Sequence, residues 1–221
     1  MTDRKKTAYG LVLSIGAVIL MTLVEKVLAP SYAVKSLLKV LCFAGSILLY
    51  CVIFHEDVKN VIFLYRKKLP KLIYILMIGT YLFMIGAYFL FKDKIDLSSI
   101  RESLFEKEGL SRDNFLFIFS YIILVNSFLE EAFFRGFILH IFRGKSGSLF
   151  SAFLFSLYHI GIMSSWFHPL IFVICILGLM VAGLFLEEIK KRSGTLLGNW
   201  IVHGFANLAI NTIATFMILG L

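Results

Sequence analysis

Runs of residues without any Asp, Glu, Lys or Arg recur along this chain, and they constrain its fold more than any other feature. Three of them lie between Lys6 and Glu25, between Lys39 and Glu56, and between Lys71 and Lys92. Each is close to the ~20 apolar residues that an α-helix needs to span the core of a bilayer. Hydrophobic residues make up 59% of the chain, more than a water-soluble domain of 221 residues could bury. The sequence therefore predicts an integral membrane protein.

The second half of the chain contains four more apolar segments. The first runs from Asn114 to Leu139, although three charged residues interrupt it. No residue between Ser146 and Leu186 is formally charged, and this stretch is too long for one helix, so we expect a break near Ser164 and Pro169. The last segment runs from Ser193 to Leu221. Together these segments predict an all-α fold, a polytopic bundle of about seven transmembrane helices.

A charged segment separates the first three predicted helices from the last four. From Asp96 to Asp113, charged residues alternate with apolar ones, a pattern typical of an amphipathic helix that lies on a membrane surface. Its apolar residues are Leu97, Ile100, Leu104 and Leu110. We therefore expect residues 1–113 to contain three N-terminal helices and this surface segment, and residues 114–221 to form a second helical region.

Lys and Arg residues concentrate on one face of the predicted bundle. They are Arg4, Lys5, Lys6, Lys59, Arg66, Lys67, Lys68, Lys71, Arg143, Lys145, Lys190, Lys191 and Arg192. Because short loops rich in these residues remain in the cytoplasm, this face and the N-terminus are predicted to be cytoplasmic, and the C-terminus to lie outside. Short loops and one compact core favour a prokaryotic plasma membrane. Basic loops facing anionic lipid account for the net charge of +8, so membrane lipid is an expected partner and nucleic acid is not.

The fourth predicted helix contains three charged residues within six positions, in the sequence NSFLEEAFFRG. Each charged side chain at the centre of a membrane helix costs roughly 2.5–3.5 kcal/mol on insertion scales, so other interactions must offset the penalty. Glu131 precedes Arg135 by four residues, the favoured order for a helical ion pair. Glu130 has no such partner in its own helix, and Asn126 lies four residues before it on the same face. Either the carboxylates join helices through buried ion pairs, or they have a chemical function.

Further polar side chains occur in the fifth and seventh predicted helices. The fifth helix carries Phe155 and His159 one turn apart. The seventh carries four polar residues at successive intervals of four, namely Asn199, His203, Asn207 and Asn211. A lone histidine in a membrane helix is typical of a hydrogen bond to a neighbouring helix, but a helix that only packs does not need four polar residues in line. The stripe therefore indicates that the seventh helix faces a polar centre.

These polar residues lie at similar depths. Counted from the nearest basic residue on the predicted cytoplasmic side, Glu130, His159 and His203 lie 13, 14 and 11 residues into their helices. At 1.5 Å per residue this places them roughly 15–20 Å from that side, so they can converge. Two carboxylates, two histidines and an amide can provide a base for water and donors for an oxyanion, the parts of a hydrolytic centre. The same set could also bind a divalent metal.

Three motifs connect this pattern to a known family. The chain resembles the CPBP intramembrane endopeptidases (CAAX protease and bacteriocin-processing, or Abi), which include the type II CAAX prenyl endopeptidases. The family pattern is E-E-x-x-x-R, F-x-x-x-H and H-x-x-x-N on successive buried helices. In this chain the pattern is met by Glu130, Glu131, Arg135, Phe155, His159, His203 and Asn207. The resemblance covers about Asn114 to Asn211, so residues 114–221 are expected to form the catalytic core.

The resemblance implies a role for each of these residues. Glu130 and His159 would position and activate the attacking water, and His203 and Asn207 would stabilise the oxyanion. The residues expected to orient the site from behind are Glu131, Arg135 and Phe155. Family members are often described as metalloproteases, but the H-E-x-x-H spacing of zincins is missing from this sequence. A metal-free glutamate protease therefore remains open beside a zinc enzyme whose metal ligands would be Glu130, His159 and His203.

Three classes of function remain open from the sequence. The first is an endopeptidase acting on a membrane-associated or lipidated peptide, either a prenylated C-A-A-X tail or a bacterial leader or signalling peptide. The second is a non-proteolytic bacteriocin self-immunity protein or membrane scaffold of the same fold. The third is a transporter or proton relay, since buried Glu and His also build ion paths, but the sequence lacks the paired, inverted broken helices of many transporters.

Overall fold

Seven long apolar helices form the molecule in a computed structural model, which describes residues 3–62, 69–163 and 167–219. They are α1 (Asp3–Leu28), α2 (Tyr32–Phe54), α3 (Lys71–Lys94), α4 (Phe115–Ile141), α5 (Gly144–Met163), α6 (Pro169–Ser193) and α7 (Leu196–Leu219). The described residues contain no strand. The prediction of an all-α bundle with seven membrane-spanning helices is therefore confirmed. Outside the described residues lie the predicted break at Ser164 and three of the predicted cytoplasmic cations, Arg66, Lys67 and Lys68.

The connections between successive helices lie at alternate ends of the bundle. We call one end the basic face; it carries the start of α1 and the α2–α3, α4–α5 and α6–α7 connections. The opposite end, the distal face, carries the α1–α2, α3–α4 and α5–α6 connections and the end of α7. Ten of the thirteen basic residues noted above lie among the described residues, and all ten belong to the basic face.

Helix α2 begins earlier than the apolar run in the sequence indicates. It starts at Tyr32, so Lys35 and Lys39 lie inside the helix, where both are buried. Lys35, Lys39, Phe43 and Ile47 follow one another at intervals of four and therefore share one face. Ion pairs with carboxylates of other elements allow the two ammonium groups to be buried in the bundle.

An aromatic cluster fills the bundle between α2 and the second half of α4. The segment Ala132–Ile138 of α4 is buried throughout. The ring of Phe133 stacks on that of Phe43 with centroids 4.3 Å apart, and the rings of Phe137 and Tyr50 meet edge to face at 5.3 Å. We call five buried residues of this cluster the aromatic plug: Phe43, Tyr50, Phe133, Phe134 and Phe137.

Helix α4 is irregular on both sides of its two glutamates. Ile122–Asn126 and Ala132–Ile138 are π-helical, and only Ser127–Glu131 between them is regular α-helix. Such widened turns are frequent at functional sites, and they change which backbone groups bond within the helix. The two glutamates therefore lie on a short regular segment between two widened ones.

Helix α7 packs closely on the first of these widened segments. The indole of Trp200 donates to the carbonyl of Leu124 at 2.8 Å, and the amide of Asn211 donates to the carbonyl of Phe119 at 3.3 Å. Gly204 lies between these contacts, and a Cβ atom added there would come within 3.2 Å of the Ile123 carbonyl oxygen. The absence of a side chain at this position allows α7 to approach the α4 backbone.

The segment after α3 forms two short helical turns, Leu97–Glu102 and Ser103–Lys107. The sequence predicts that its apolar side lies on the membrane surface, and this prediction is wrong for two of its residues. Ile100 and Leu110 are buried, and Leu110 packs with residues near the distal ends of α4 and α7, among them Ile118 and Ile218. Protein rather than lipid covers this side because these helix ends offer an apolar surface.

We predict that Gly204→Val destabilises the protein by about 1–3 kcal/mol, because the added side chain forces α7 away from α4. The matched control is Gly86→Val in α3, where an added Cβ has no neighbour within 4 Å. Thermal unfolding in detergent micelles measures both variants. An equal effect of the two substitutions would contradict the close packing of α7 on α4.

Candidate active site

Glu130 lies in the regular segment of α4, is buried, and contacts groups from α4, α2 and α7. Asn126 Nδ2 donates to Glu130 Oε1 at 2.9 Å, as the shared helix face predicts. Lys39 Nζ of α2 lies 3.7 Å from Oε1, and His203 Nε2 of α7 lies 3.7 Å from Oε2. Lys39 Nζ also donates to Asn126 Oδ1 at 2.7 Å. The Glu130 carboxylate is thus surrounded by hydrogen-bond donors and a cation.

Glu131 is fully buried and has a different set of partners. Arg135 Nη1 donates to Glu131 Oε1 at 3.0 Å, which is the ion pair that the four-residue spacing predicts. His203 Nδ1 lies 2.8 Å from the same oxygen, and Asn199 Nδ2 donates to Oε2 at 3.2 Å. Arg135 Nη2 also donates to the carbonyl of Gly183 in α6 at 3.3 Å. Glu131 therefore connects α4 to α7, and Arg135 connects both to α6.

Phe155 lies between Arg135 and His159. The guanidinium carbon of Arg135 is 4.2 Å from the centre of the Phe155 ring, a cation–π contact, and the His159 ring meets the same ring at 4.6 Å. His159 Nδ1 lies 2.8 Å from the Phe155 carbonyl oxygen. Because a carbonyl oxygen only accepts, Nδ1 carries the hydrogen, and Nε2 of a neutral His159 ring is left as an acceptor.

One cavity brings the four residues with predicted catalytic roles together. It has a volume of about 770 Å³, and its lining includes Glu130, His159, His203 and Asn207. Asn207 Nδ2 donates to the Ile122 carbonyl at 3.3 Å, and the second hydrogen of its amide group can serve another acceptor. The three residues with predicted supporting roles do not line the cavity and lie behind its wall: Glu131, Arg135 and Phe155.

Two further residues of the last helix belong to this network. Asn199 binds Glu131, and Asn211 lines the cavity while its amide binds the α4 backbone. The stripe on α7 therefore faces α4 along its whole length, as the intervals of four predict. Its first two residues bind carboxylates, whereas its last two bind backbone carbonyls.

Lys39 is the main residue of the site that sequence reasoning missed. As the last charge before an apolar run, it marks the predicted border of a membrane span. The available signal was its spacing from Lys35, Phe43 and Ile47, which places all four on one helix face. Lys35 also lines the cavity, and its Nζ lies 3.1 Å from Glu25 Oε2 and 2.7 Å from Glu108 Oε1.

The side chains of the site do not form a metal centre. In the described ranges, no three His, Cys, Asp or Glu side chains converge on a point where they could hold a metal ion. The Lys39 ammonium already lies beside Glu130, and a second cation at the same carboxylate would be repelled. The arrangement predicted for zinc, with Glu130, His159 and His203 as ligands, does not fit this geometry, so we derive the chemistry from the protein's own groups.

The comparison with known proteins agrees with this arrangement. The family description of type II CAAX prenyl endopeptidases, Rce1-like, matches residues 112–209. Through this region the chain is similar to the Rce1-like family. The match and the seven apolar helices indicate an integral membrane protein similar to CAAX-type endopeptidases, and the matched range includes every site residue from Asn126 to Asn207. No curated protein and no solved structure matches the chain significantly. The Rce1-like match does not include Lys39.

We predict that Lys39→Met lowers the free energy of unfolding by about 3–5 kcal/mol, because it leaves the Glu130 carboxylate buried without its cation. Adding Glu130→Gln should restore part of this loss, since the double variant has no unpaired charge. Thermal unfolding in detergent measures the cycle.

The control for this cycle is Lys26→Met, at an exposed position of α1, which should change stability by less than about 0.5 kcal/mol. If Lys39→Met is as stable as Lys26→Met, or if the double variant recovers nothing, the ion pair between Lys39 and Glu130 does not hold the site together.

Proposed function

We propose that the chain hydrolyses a peptide bond of a membrane-associated peptide with a water molecule activated by Glu130 and His159. One observation carries this proposal. Glu130, His159, His203 and Asn207 come from three different helices, yet all line one cavity inside a bundle of apolar helices. Such a concentration of polar groups in a membrane protein has a high cost and is therefore expected to serve a function.

The Glu130 carboxylate is the base of this mechanism. Its Oε1 already accepts from Asn126, and Lys39 stabilises its negative charge. Its Oε2 faces the cavity wall shared with His203, where it can accept a proton from a water molecule. His159 Nε2, the unprotonated nitrogen of its ring, accepts a hydrogen bond from the same water molecule. This second contact orients the water toward the scissile carbonyl.

His203 and Asn207 supply the donors for the tetrahedral oxyanion. They lie one turn apart on α7 and both line the cavity. His203 Nδ1 donates to Glu131, and the imidazolium form of this ring also donates from Nε2 into the cavity. The second hydrogen of the Asn207 amide is the other donor. Donors fixed in this way need little reorganisation when charge develops on the substrate oxygen.

The residues behind the wall hold these groups in position. Glu131 fixes the orientation of His203, and Arg135 balances the charge of Glu131. Phe155 contacts Arg135 on one side and His159 on the other, so the two ends of the network cannot move independently. Such supporting contacts fix reactive groups within the narrow limits that catalysis requires.

We predict that Glu130→Gln and His159→Ala each abolish cleavage by the purified protein, since either change removes the contact that activates water. The substrate panel contains membrane-associated peptides and a farnesylated C-A-A-X peptide, with product formation followed by mass spectrometry. The matched control is Glu188→Gln, the same chemical change at a half-exposed position on the basic face, which should leave cleavage unchanged.

Chelator treatment of the wild type is part of the same measurement. Unchanged cleavage supports a metal-free mechanism, and cleavage that is lost and then restored by a divalent metal contradicts it. A Glu130→Gln variant that cleaves at the wild-type rate, or that keeps full cellular function, would contradict the protease and favour a scaffold.

We predict that Asn207→Ala lowers kcat by about 10²–10³, the usual loss when one oxyanion donor is removed. Asn211→Ala is the matched control, because Asn211 lines the same cavity and its side-chain amide donates a hydrogen bond of the same length to an α4 carbonyl. Steady-state kinetics should show a change in kcat for the first variant and only a small one for the second. Equal losses would assign Asn207 a packing role.

A further inference from the structure

Peptide hydrolysis at this site requires a proton donor that the groups described above do not supply. When the C–N bond of the tetrahedral intermediate breaks, its electron pair moves to the nitrogen, which must gain a proton to leave as an amine. Glu130 has the role of the base, and His203 and Asn207 hold the oxyanion. A further donor that lines the same cavity would complete the reaction.

Lys39 lies where such a donor is needed. It lines the cavity from α2, and its Nζ lies 3.7 Å from Oε1 of Glu130. His203 Nε2 lies 3.7 Å from the other carboxylate oxygen, Oε2. The base is thus flanked by two nitrogen donors, one at each oxygen. A tetrahedral carbon held beside Glu130 can therefore direct its oxyanion toward His203 while its nitrogen faces Lys39.

The Lys39 ammonium has hydrogens available for a substrate. An ammonium carries three, and among the described residues one of them forms a hydrogen bond, to Asn126 Oδ1 at 2.7 Å. The distance to Glu130 is that of an ion pair and is too long for a hydrogen bond. The ring of Tyr158, which does not line the cavity, has its centre 5.1 Å from Nζ and holds the ammonium through a cation–π contact. These contacts fix Nζ and leave two of its hydrogens for other acceptors.

We infer that Lys39 is the general acid of the reaction, a catalytic residue that protonates the leaving amine. This inference rests on the proposed protease function. Lys39 lies outside the range of the Rce1-like match, so the match assigns it no role. Lysine is among the side chains that transfer protons in enzymes, and a buried ammonium gives up its proton more readily than one in water.

The proton transfers balance over one reaction cycle. The water oxygen bonds to the carbonyl carbon as one water proton passes to Glu130. The C–N bond then breaks, its electron pair goes to the nitrogen, and this nitrogen takes a proton from Lys39 Nζ. Glu130 returns its proton to the neutral Lys39 amine beside it, which restores the ion pair. The products are a carboxylic acid and an amine, and both side chains regain their starting charge.

Arginine at position 39 separates proton donation from charge. Its guanidinium keeps a positive charge beside Glu130, but it does not give up a proton in proteins. Lys39→Arg therefore preserves the cation of the ion pair and removes the general acid. A residue that only balances the charge of Glu130 would tolerate this change in the chemical step.

Cleavage of matched amide and thioester substrates by Lys39→Arg tests the inference. The probes are the panel peptide that the wild type cleaves fastest and its thiodepsipeptide counterpart, in which sulfur replaces the scissile nitrogen. A thiolate leaves without a proton, whereas an amine does not. We expect kcat to fall by about 10²–10⁴ for the amide, the usual contribution of a general acid, and only slightly for the thioester. Both rates come from one preparation, so their ratio does not depend on the folded fraction.

The matched control is Lys26→Arg, the same change at an exposed position of α1, which should alter neither rate. Glu130→Gln should lose both activities, since both substrates need an activated water. Equal losses on the two substrates in Lys39→Arg, or an unchanged rate on the amide, would overturn the inference. If Lys39→Arg does not fold, Lys39→Met is measured in the same way and must show the same selective loss. Failure of the wild type to cleave any panel peptide would instead overturn the proposed protease function.

Discussion

Two adjacent carboxylates inside a membrane helix bundle are the constraint on which the rest of this structure depends. Glu130 and Glu131 are both buried, and each has one cation as a direct partner. The loss of one partner from a buried ion pair costs more than the replacement of both, because the remaining charge keeps its desolvation penalty. Arg135 is supplied by α4 itself, but Lys39 comes from α2, so the relative position of these two helices is fixed by electrostatics as well as by packing.

The same constraint explains the shape of α4. In hydrocarbon every backbone group needs a partner within the protein, and a helix with widened turns bonds its backbone groups less regularly than an ideal helix. Side chains of α7 supply the additional donors, from Trp200 to Leu124 and from Asn207 to Ile122. The irregular turn is therefore stabilised by the helix that also contributes His203. The contact between α7 and α4 thus has two results. It gives partners to the α4 carbonyls, and it places His203 and Asn207 beside Glu130.

The sequence allows much of this arrangement to be predicted, and its failures have a physical cause. Helix number follows from charge-free runs because hydrocarbon excludes isolated charges, and the pairing of Glu131 with Arg135 follows from helical spacing alone. Lys39 could not be placed in the same way, since a lysine beside an apolar run normally marks the end of a span. Its burial is tolerable only because Glu130 of another helix lies beside it. For Ile100 and Leu110, alternation shows that one side is apolar, but not whether lipid or protein covers it.

The two glutamates are neighbours in sequence, yet the fold gives them opposite environments. One residue along an α-helix corresponds to a rotation of about 100°, so the two side chains leave α4 in different directions. Glu131 points into the protein, where Arg135, Asn199 and His203 use both of its oxygens. Glu130 lines the cavity, and its contact with His203 is 3.7 Å, too long for a direct hydrogen bond. A carboxylate whose two oxygens both accept from protein donors is a fixed anion, whereas one with an oxygen free of such donors beside a cavity can accept a proton. The proposed mechanism uses this difference, with Glu131 as the structural anion and Glu130 as the base in adjacent positions.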